Sequence, residues 1–112
     1  MNEFLLIFRR DYKTESIQPT AQDKEKHIRH WQKWYGDLIS QNVMTKPIQR
    51  IEPEGIIVSA KAEPTVGPIL DGKKSIGGYI TIQTKDYETA VEIAKGCPIL
   101  ELSGHVEIRR MK

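Results

Sequence analysis

The chain contains a single cysteine and has no long apolar run. Cys97 has no second cysteine with which to form an internal disulfide, and it stands in a helix-stopping Gly-Cys-Pro sequence without ligand-spaced partners. A structural role is therefore favoured over a redox or metal-binding role. The longest apolar run, residues 4–8, is too short for a transmembrane helix or the core of a signal peptide. We expect a cytoplasmic protein with no membrane partner.

The sequence also lacks an excess of one charge, since 17 basic residues stand against 15 acidic ones. In the first predicted helix the basic residues alternate with Asp23, Glu25 and Asp37, which is typical of a solvated face rather than a nucleic-acid-binding surface. Motifs for a phosphate loop, a nucleophile elbow and a dinucleotide site are all missing. We therefore predict no nucleic-acid partner and no cofactor.

A single domain over residues 1–112, with a small core, suits the length and the 38% hydrophobic content. Residues 3–9 predict a central strand, because apolar residues occupy both of its alternating sides. Helices can cover one face of such a strand, and in so short a chain the other face is most readily covered by a second subunit. The pattern therefore predicts a homodimer.

A long helix is predicted for residues 20–41, with Thr20 as its N-cap. At about 100° per residue, one side of this helix carries an apolar stripe. The stripe consists of Ile28, Trp31, Tyr35, Leu38 and Ile39. His27 and Trp34 lie at its border and His30 lies further toward the polar side. We expect these three side chains to face a groove.

Residues 42–68 are the least regular part of the chain, since four of the six prolines fall there. A strand is predicted for residues 56–62. The long connection is either a cover over a site or a stiffened surface excursion with a second edge strand at residues 48–51. Asp71-Gly72 then predicts an exposed hairpin tip over residues 70–75.

The C-terminal third predicts a strand, a capped helix and a final strand. Ile80 and Ile82 are expected to point toward the helices, Asp86 to cap the second helix, and Gly96 to end it in a left-handed conformation. The last strand begins at His105. The resulting β-α-β-β-α-β order predicts an α+β, ferredoxin-like sandwich with an antiparallel sheet.

These segments resemble the YCII-related family, including the branch named for an Asp-Gly-Pro-Phe signature. The resemblance spans nearly the whole chain and rests on the first strand, on Gly67-Pro68-Ile69 and above all on Gly77-Gly78-Tyr79 through Pro98. It implies a ferredoxin-like protomer that pairs into a dimeric α+β barrel, with a small-molecule cleft in each subunit. Val66 stands where the signature has its Asp, and Ile69 where it has Phe.

Two groups of residues are candidates for an acid-base site. On the first helix, the four-residue spacings place each of two histidines beside a tryptophan, in the pairs His27 with Trp31 and His30 with Trp34. Histidine suits proton transfer near neutral pH. The resemblance implies a helix histidine paired with an aspartate, and His30 matches that position better than His27. Asp71 is the predicted partner, although it also belongs to an ordinary turn.

The polar face of the sheet supplies further ligand-binding candidates, namely Tyr79, Thr81 and His105. Tyr79 follows two glycines that permit close approach, so it either binds a ligand or packs across a dimer interface. Ordinary solvation is the simpler explanation for His105 and its neighbours on the last strand. A metal site would require both helix histidines and a third ligand to converge, and we predict none.

The favoured function is a cofactor-independent small-molecule enzyme of lyase or isomerase type, in which a histidine transfers protons to or from an apolar or aromatic organic acid in a dimer cleft. The alternative is a non-catalytic ligand-binding or transcription-associated regulatory module, which the missing signature Asp at Val66 slightly favours. A third possibility is a structural interaction partner, which would have no enclosed pocket. The sequence therefore predicts a fold more sharply than a reaction.

Overall fold

The computed structural model describes every residue from Met1 to Lys112 and has one four-stranded antiparallel sheet as its centre. In chain order the elements are β1 (Asn2–Arg10), α1 (Ala21–Ser40), β2 (Gln49–Arg50), β3 (Gly55–Ile57), β4 (Thr65–Gly67), β5 (Ser75–Thr84), α2 (Tyr87–Ala94) and β6 (His105–Arg110). Short 3₁₀ helices lie at Glu15–Ile17 and Pro98–Leu102. The sheet order is β2-β5-β1-β6. This order, with one helix after β1 and one after β5, confirms the predicted α+β, ferredoxin-like fold.

Both helices pack on one face of the sheet, which we call the helix side; the other is the open face. Alternate residues of β1 and β5 form the core of the helix side and are almost fully buried: Phe4, Leu6, Phe8, Ile80 and Ile82. Leu38 of α1 and Ala90 and Ala94 of α2 cover them. Leu5 and Ile7 lie on the open face and are only half-buried. The prediction of a central strand with two apolar sides is confirmed.

The first helix begins and ends as its sequence predicts. Thr20 Oγ1 accepts a hydrogen bond of 3.1 Å from the backbone N–H of Asp23, which satisfies one of the free donors at the helix start. The predicted stripe is partly wrong, because Ile28 and Ile39 are 49% and 53% exposed. Trp34 packs against the core instead. The helix is therefore turned so that its two tryptophans face the core.

Of the two predictions for the ends of the second helix, the N-terminal cap is confirmed and the C-terminal glycine conformation is wrong. Asp86 caps it by accepting a 2.8 Å hydrogen bond from the backbone N–H of Thr89. Gly96 is not left-handed, since Gly72 is the only glycine with a positive φ. The physical reason for a glycine there is space, because a Cβ at Gly96 would lie 3.2 Å from Trp34 Nε1. Trp34 then donates a 3.2 Å hydrogen bond to the carbonyl of Ile93.

The connection before β5 differs from its main prediction. β3 covers only Gly55–Ile57 rather than residues 56–62, and it pairs with β4 outside the main sheet. The edge strand of the sheet is β2, which confirms the alternative placed at residues 48–51. The predicted hairpin tip is also confirmed, since Asp71 and Lys74 exchange two backbone hydrogen bonds of 2.9 Å. β3 and β4 form a projecting hairpin, which we call the arm.

Candidate active site beside the first helix

A pocket of about 230 Å³ lies between the start of α1, the end of β1 and the edge strand β2. Its apolar wall includes Phe8, Ile28 and Trp31. Its polar lining is Arg10, Tyr12, His27, Gln49 and Arg50, and no acidic residue takes part. Phe8 and Gly78 place this pocket on the helix side of the sheet.

The two glycines before Tyr79 make room for this pocket. A Cβ at Gly78 would lie 2.5 Å from the carbonyl oxygen of Gln49, so only glycine lets β2 pair this closely with β5. A Cβ at Gly77 would lie 1.7 Å from Tyr12 Oη. The sequence suggested close approach by backbone or ligand. The structure shows the backbone of β2 and a tyrosine ring in those places.

His27 lines the pocket and is bonded at both ring nitrogens. Trp31 Nε1 donates to His27 Nε2 at 2.8 Å, and His27 Nδ1 lies 3.4 Å from Glu101 Oε2. An indole nitrogen can only donate, so Nε2 is the acceptor and the proton of the neutral imidazole is on Nδ1. Glu101 therefore accepts a hydrogen bond from Nδ1–H, and this bond orients the ring and selects one tautomer.

His30 shares the same carboxylate. Its Nδ1 lies 2.8 and 3.0 Å from the two oxygens of Glu101, and its Nε2 has no protein partner. The side chain is 44% exposed and does not line the pocket. The predicted pairing of His30 with Asp71 is wrong. Pro98 opens the 3₁₀ helix that carries Glu101, and this proline was the only local signal of that turn.

The remaining candidates lie elsewhere. Asp71 Oδ2 is 3.4 Å from His105 Nε2, and Lys74 Nζ is 3.4 Å from His105 Nδ1, in an open depression at the end of the sheet. Tyr79 and Thr81 are on the open face, opposite Ile7 and Leu5 of β1. Trp34 packs against the core and does not line the pocket. The predicted residues are thus divided among the pocket, the depression, the open face and the core rather than gathered in one place.

Asp11, which sequence reasoning missed, holds the loop that follows β1. Its carboxylate accepts hydrogen bonds from the hydroxyl and backbone N–H of Thr14 and from the backbone N–H of Lys13. These hydrogen bonds, of which that from the Thr14 hydroxyl has the largest effect, together lower the pKa of Asp11 to about 2. Burial raises the pKa of the adjacent Tyr12, and Arg10 beside it partly opposes that rise. This turn fixes the polar end of the pocket.

Val66, at the position of the signature Asp, lies on the arm and is 90% exposed. It borders a second depression of about 330 Å³ that Asp11 and the cis Gly67-Pro68 bond also line. No group of three or more His, Cys, Asp or Glu side chains is arranged to bind a metal ion. Neither helix is both long and apolar enough to cross a membrane.

Comparisons with known proteins add a family to this description. No curated protein matches the sequence. Among solved structures, the chain is similar to 5-chloro-2-hydroxyhydroquinone dehydrochlorinase (TftG) from Burkholderia phenoliruptrix AC1100 in complex with 2,5-dihydroxybenzoquinone, with 15% identity and a TM-score of 0.48 over 97% of this chain and 93% of that one. That likeness is too distant to transfer a role to any residue. The YCII-related domain matches residues 6–112, and the chain therefore belongs to the YCII-related family.

Proposed function

We propose that this protein is a cofactor-independent small-molecule enzyme that uses His27 as its acid-base residue, in a lyase-like or isomerase-like reaction. The observation that carries the proposal is the position of His27. It lines a pocket with an apolar wall, and Glu101 and Trp31 hold its ring in one tautomer. General acid-base catalysis requires such an oriented group within reach of a bound substrate.

The expected step is a proton transfer at His27 Nε2. A substrate with an acidic C–H or O–H replaces the Trp31 N–H at this nitrogen and gives up its proton to it. The imidazolium that forms keeps its Nδ1–H on Glu101, whose negative charge stabilises it. The same proton then returns to a different atom of the substrate, or to a leaving group. Such a reaction needs no oxidant or reductant.

His30, the first choice from the sequence, has a supporting role in this proposal. It holds both oxygens of Glu101 and is half-exposed, so it fixes the carboxylate toward His27 and connects it to solvent. His30→Asn is expected to reduce the rate less than His27→Asn does. Asp71 has no part in the step, because its histidine partner is His105.

The experiment is solvent deuterium exchange. A panel of 2-oxo acids and hydroxylated aromatic acids is incubated with the protein in D₂O, and the loss of C–H signals is followed by proton NMR. Wild type should exchange at least one panel member, and His27→Asn and Glu101→Gln should slow that exchange about 10²- to 10⁴-fold. His105→Asn removes the histidine that pairs with Asp71. This variant is the control and should exchange normally. Equal rates for wild type and His27→Asn would end the proposal.

A non-catalytic ligand-binding or regulatory module is the second candidate. It is favoured by one observation, namely that both ring nitrogens of His27 already have partners in the free protein. A binder of this kind would take up panel members without exchanging their protons. Binding without exchange across the whole panel would therefore favour this candidate over the enzyme.

We also infer that the protein is a homodimer in which the open face meets a second copy. Leu5 and Ile7 have no helix over them. On the arm, Ile56 and Val66 are 74% and 90% exposed. The radius of gyration is 15.4 Å, against roughly 13 Å for a compact chain of this length. Ile7→Glu should convert a dimer into a monomer in light scattering, and a wild type that is already monomeric would contradict the inference.

A further inference from the structure

Two arginines that line the pocket have no carboxylate partner. Arg10 and Arg50 make no salt bridge, and no Asp or Glu lines the pocket beside them. Arg9 and Arg109, on the open face, both bond to Glu107. Guanidinium groups bind carboxylates through two parallel hydrogen bonds, so two unpaired ones at one pocket favour an anionic ligand.

Arg10 is held in place before any ligand arrives. Its Nη1 donates to Gln18 Oε1 at 2.9 Å and to the carbonyl of Asp11 at 3.3 Å. Its guanidinium carbon lies 4.3 Å from the centroid of the Tyr12 ring. Its hydrogen bonds to Gln18 and Asp11 both use Nη1, so no carboxylate of the protein occupies the rest of the guanidinium. A donor already fixed in this way loses little conformational entropy when it binds.

Arg50 is brought to the same pocket by the edge strand. It lies opposite Gly78 in the register of β2 and β5, where the missing Cβ allows the strands to pair. It is exposed, and no carboxylate lines the pocket beside it. A ligand anion therefore meets no competing acid group there.

The rest of the pocket limits the size and polarity of the ligand. About 230 Å³ is less than the volume that a drug-sized molecule requires. Trp31 and Phe8, whose rings meet edge to face with centroids 5.0 Å apart, supply an apolar wall. A ligand with one ring and one negative group matches a pocket that has these walls and two cations.

We propose that Arg10 and Arg50 together bind the carboxylate of a small organic acid whose apolar body lies against Trp31. As a substrate assignment this rests on the proposed enzyme, but as a binding site it stands without catalysis. It names the two residues that decide substrate class. A neutral compound of the same shape should be rejected.

The test uses benzoate as the probe and the two indole N–H signals of ¹⁵N-labelled protein as the reporter. Benzoate should shift the Trp31 signal, whereas Trp34, which bonds to Ile93 outside the pocket, is an internal control. Benzamide, its neutral isostere, should bind at least about tenfold more weakly, as should the Arg10→Gln and Arg50→Gln variants to benzoate. Arg109→Gln, from the open face, should bind like wild type.

Several results would overturn the assignment. These are an unmoved Trp31 signal, equal binding of benzamide and benzoate, or Arg10→Gln and Arg50→Gln variants that keep full affinity while the spectrum shows that they are folded. Displacement of benzoate by an equal concentration of inorganic phosphate would show that the two arginines bind a phosphate group in preference to a carboxylate. The two proposals separate in the wild-type protein. A benzoate-dependent shift of the Trp31 signal without deuterium exchange in any panel member would keep the binding site and contradict the enzyme, whereas exchange of a panel member without binding of benzoate would keep the enzyme and contradict the arginine site.

Discussion

Arg9 and Arg10 are consecutive in β1, but they meet opposite environments on the two sides of the sheet. Arg9, on the open face, donates to Glu107, which also bonds Arg109, and the Arg9 side chain lowers the pKa of Glu107. Arg10 borders the pocket on the helix side and has only neutral acceptors. One positive charge is therefore neutralised within the protein, and the other remains available to a ligand.

The histidines likewise differ in their environments. His105 has Asp71 and Lys74 as neighbours in an open depression, whereas His27 has Glu101 and an indole beside an apolar pocket. Both histidines are near a carboxylate. Only the second lies beside a wall of aromatic rings, formed by Phe8 and Trp31. The difference indicates that the environment of a histidine, rather than the presence of an acid partner, marks the candidate site.

The largest effect on stability is expected from Gly78→Ala. This change disturbs the pairing of β2 beside the pocket and leaves the contacts of the open face in place. The new Cβ would meet a backbone oxygen at 2.5 Å, and a strand cannot move aside without breaking its pairing. The free energy of unfolding should fall by about 1–3 kcal/mol in urea denaturation. Benzoate binding should weaken as well, because Arg50 loses its support, while the ion pairs of the open face should remain.

Gly36→Ala is the matched control for that change. Gly36 is exposed in the middle of α1, and a Cβ there meets nothing within 4 Å. Alanine favours helices over glycine by about 0.8–1.0 kcal/mol, so this variant should be more stable than wild type. Equal stability of Gly78→Ala and wild type would show that β2 is not held by this close approach.

A smaller effect is expected from acid, through Asp11 in the loop that follows β1. Its pKa is about 2 in the folded protein against an ordinary value of 3.8, so its ionised form stabilises the fold. That contribution is complete above about pH 4 and is lost as the pH falls toward about 2. The stability difference between wild type and Asp11→Asn should therefore shrink over this range.

The Thr14→Ala variant tests the cause of that pH dependence. The Thr14 hydroxyl donates to Asp11 Oδ2 at 2.6 Å, and its removal should make the acid-dependent loss of stability smaller. Denaturant unfolding curves at several pH values measure both variants. An unchanged pH profile in Thr14→Ala would assign the lowered pKa to the backbone donors instead.

The smallest effect is expected from the ion pair between Arg9 and Glu107 on the open face. Their side chains are 21% and 37% exposed, so solvent weakens the attraction. In the monomeric Ile7→Glu background, a double-mutant cycle with Arg9→Gln and Glu107→Gln should give a coupling of about 0.2–1 kcal/mol that falls with added salt. Lys33 and Asp37, at 80% and 58% exposure, form the comparison pair and should couple less. A coupling that salt leaves unchanged would show that this face is shielded from solvent.

Local signals predicted the parts of the fold that depend on neighbouring residues. The caps at Thr20 and Asp86 each need only a side chain and an N–H three residues later, so the sequence places them correctly. Errors arose where distant residues decide. The rotation of α1 depends on the space that Gly96 leaves for Trp34, and β2 depends on Gly78. Neither contact has a periodic signature in the sequence.

The sequence by itself determined the α+β order, both helix starts, the two-sided β1 strand and the family resemblance, because these follow from alternation, capping residues and short motifs. Tertiary structure alone decided the site. His30 and Glu101 are separated by 71 positions, and they meet because packing sets the 3₁₀ helix after Pro98 against α1. No local pattern records which carboxylate will reach a histidine. The predicted partner Asp71 meets His105 instead, and Glu101 takes its place beside His30.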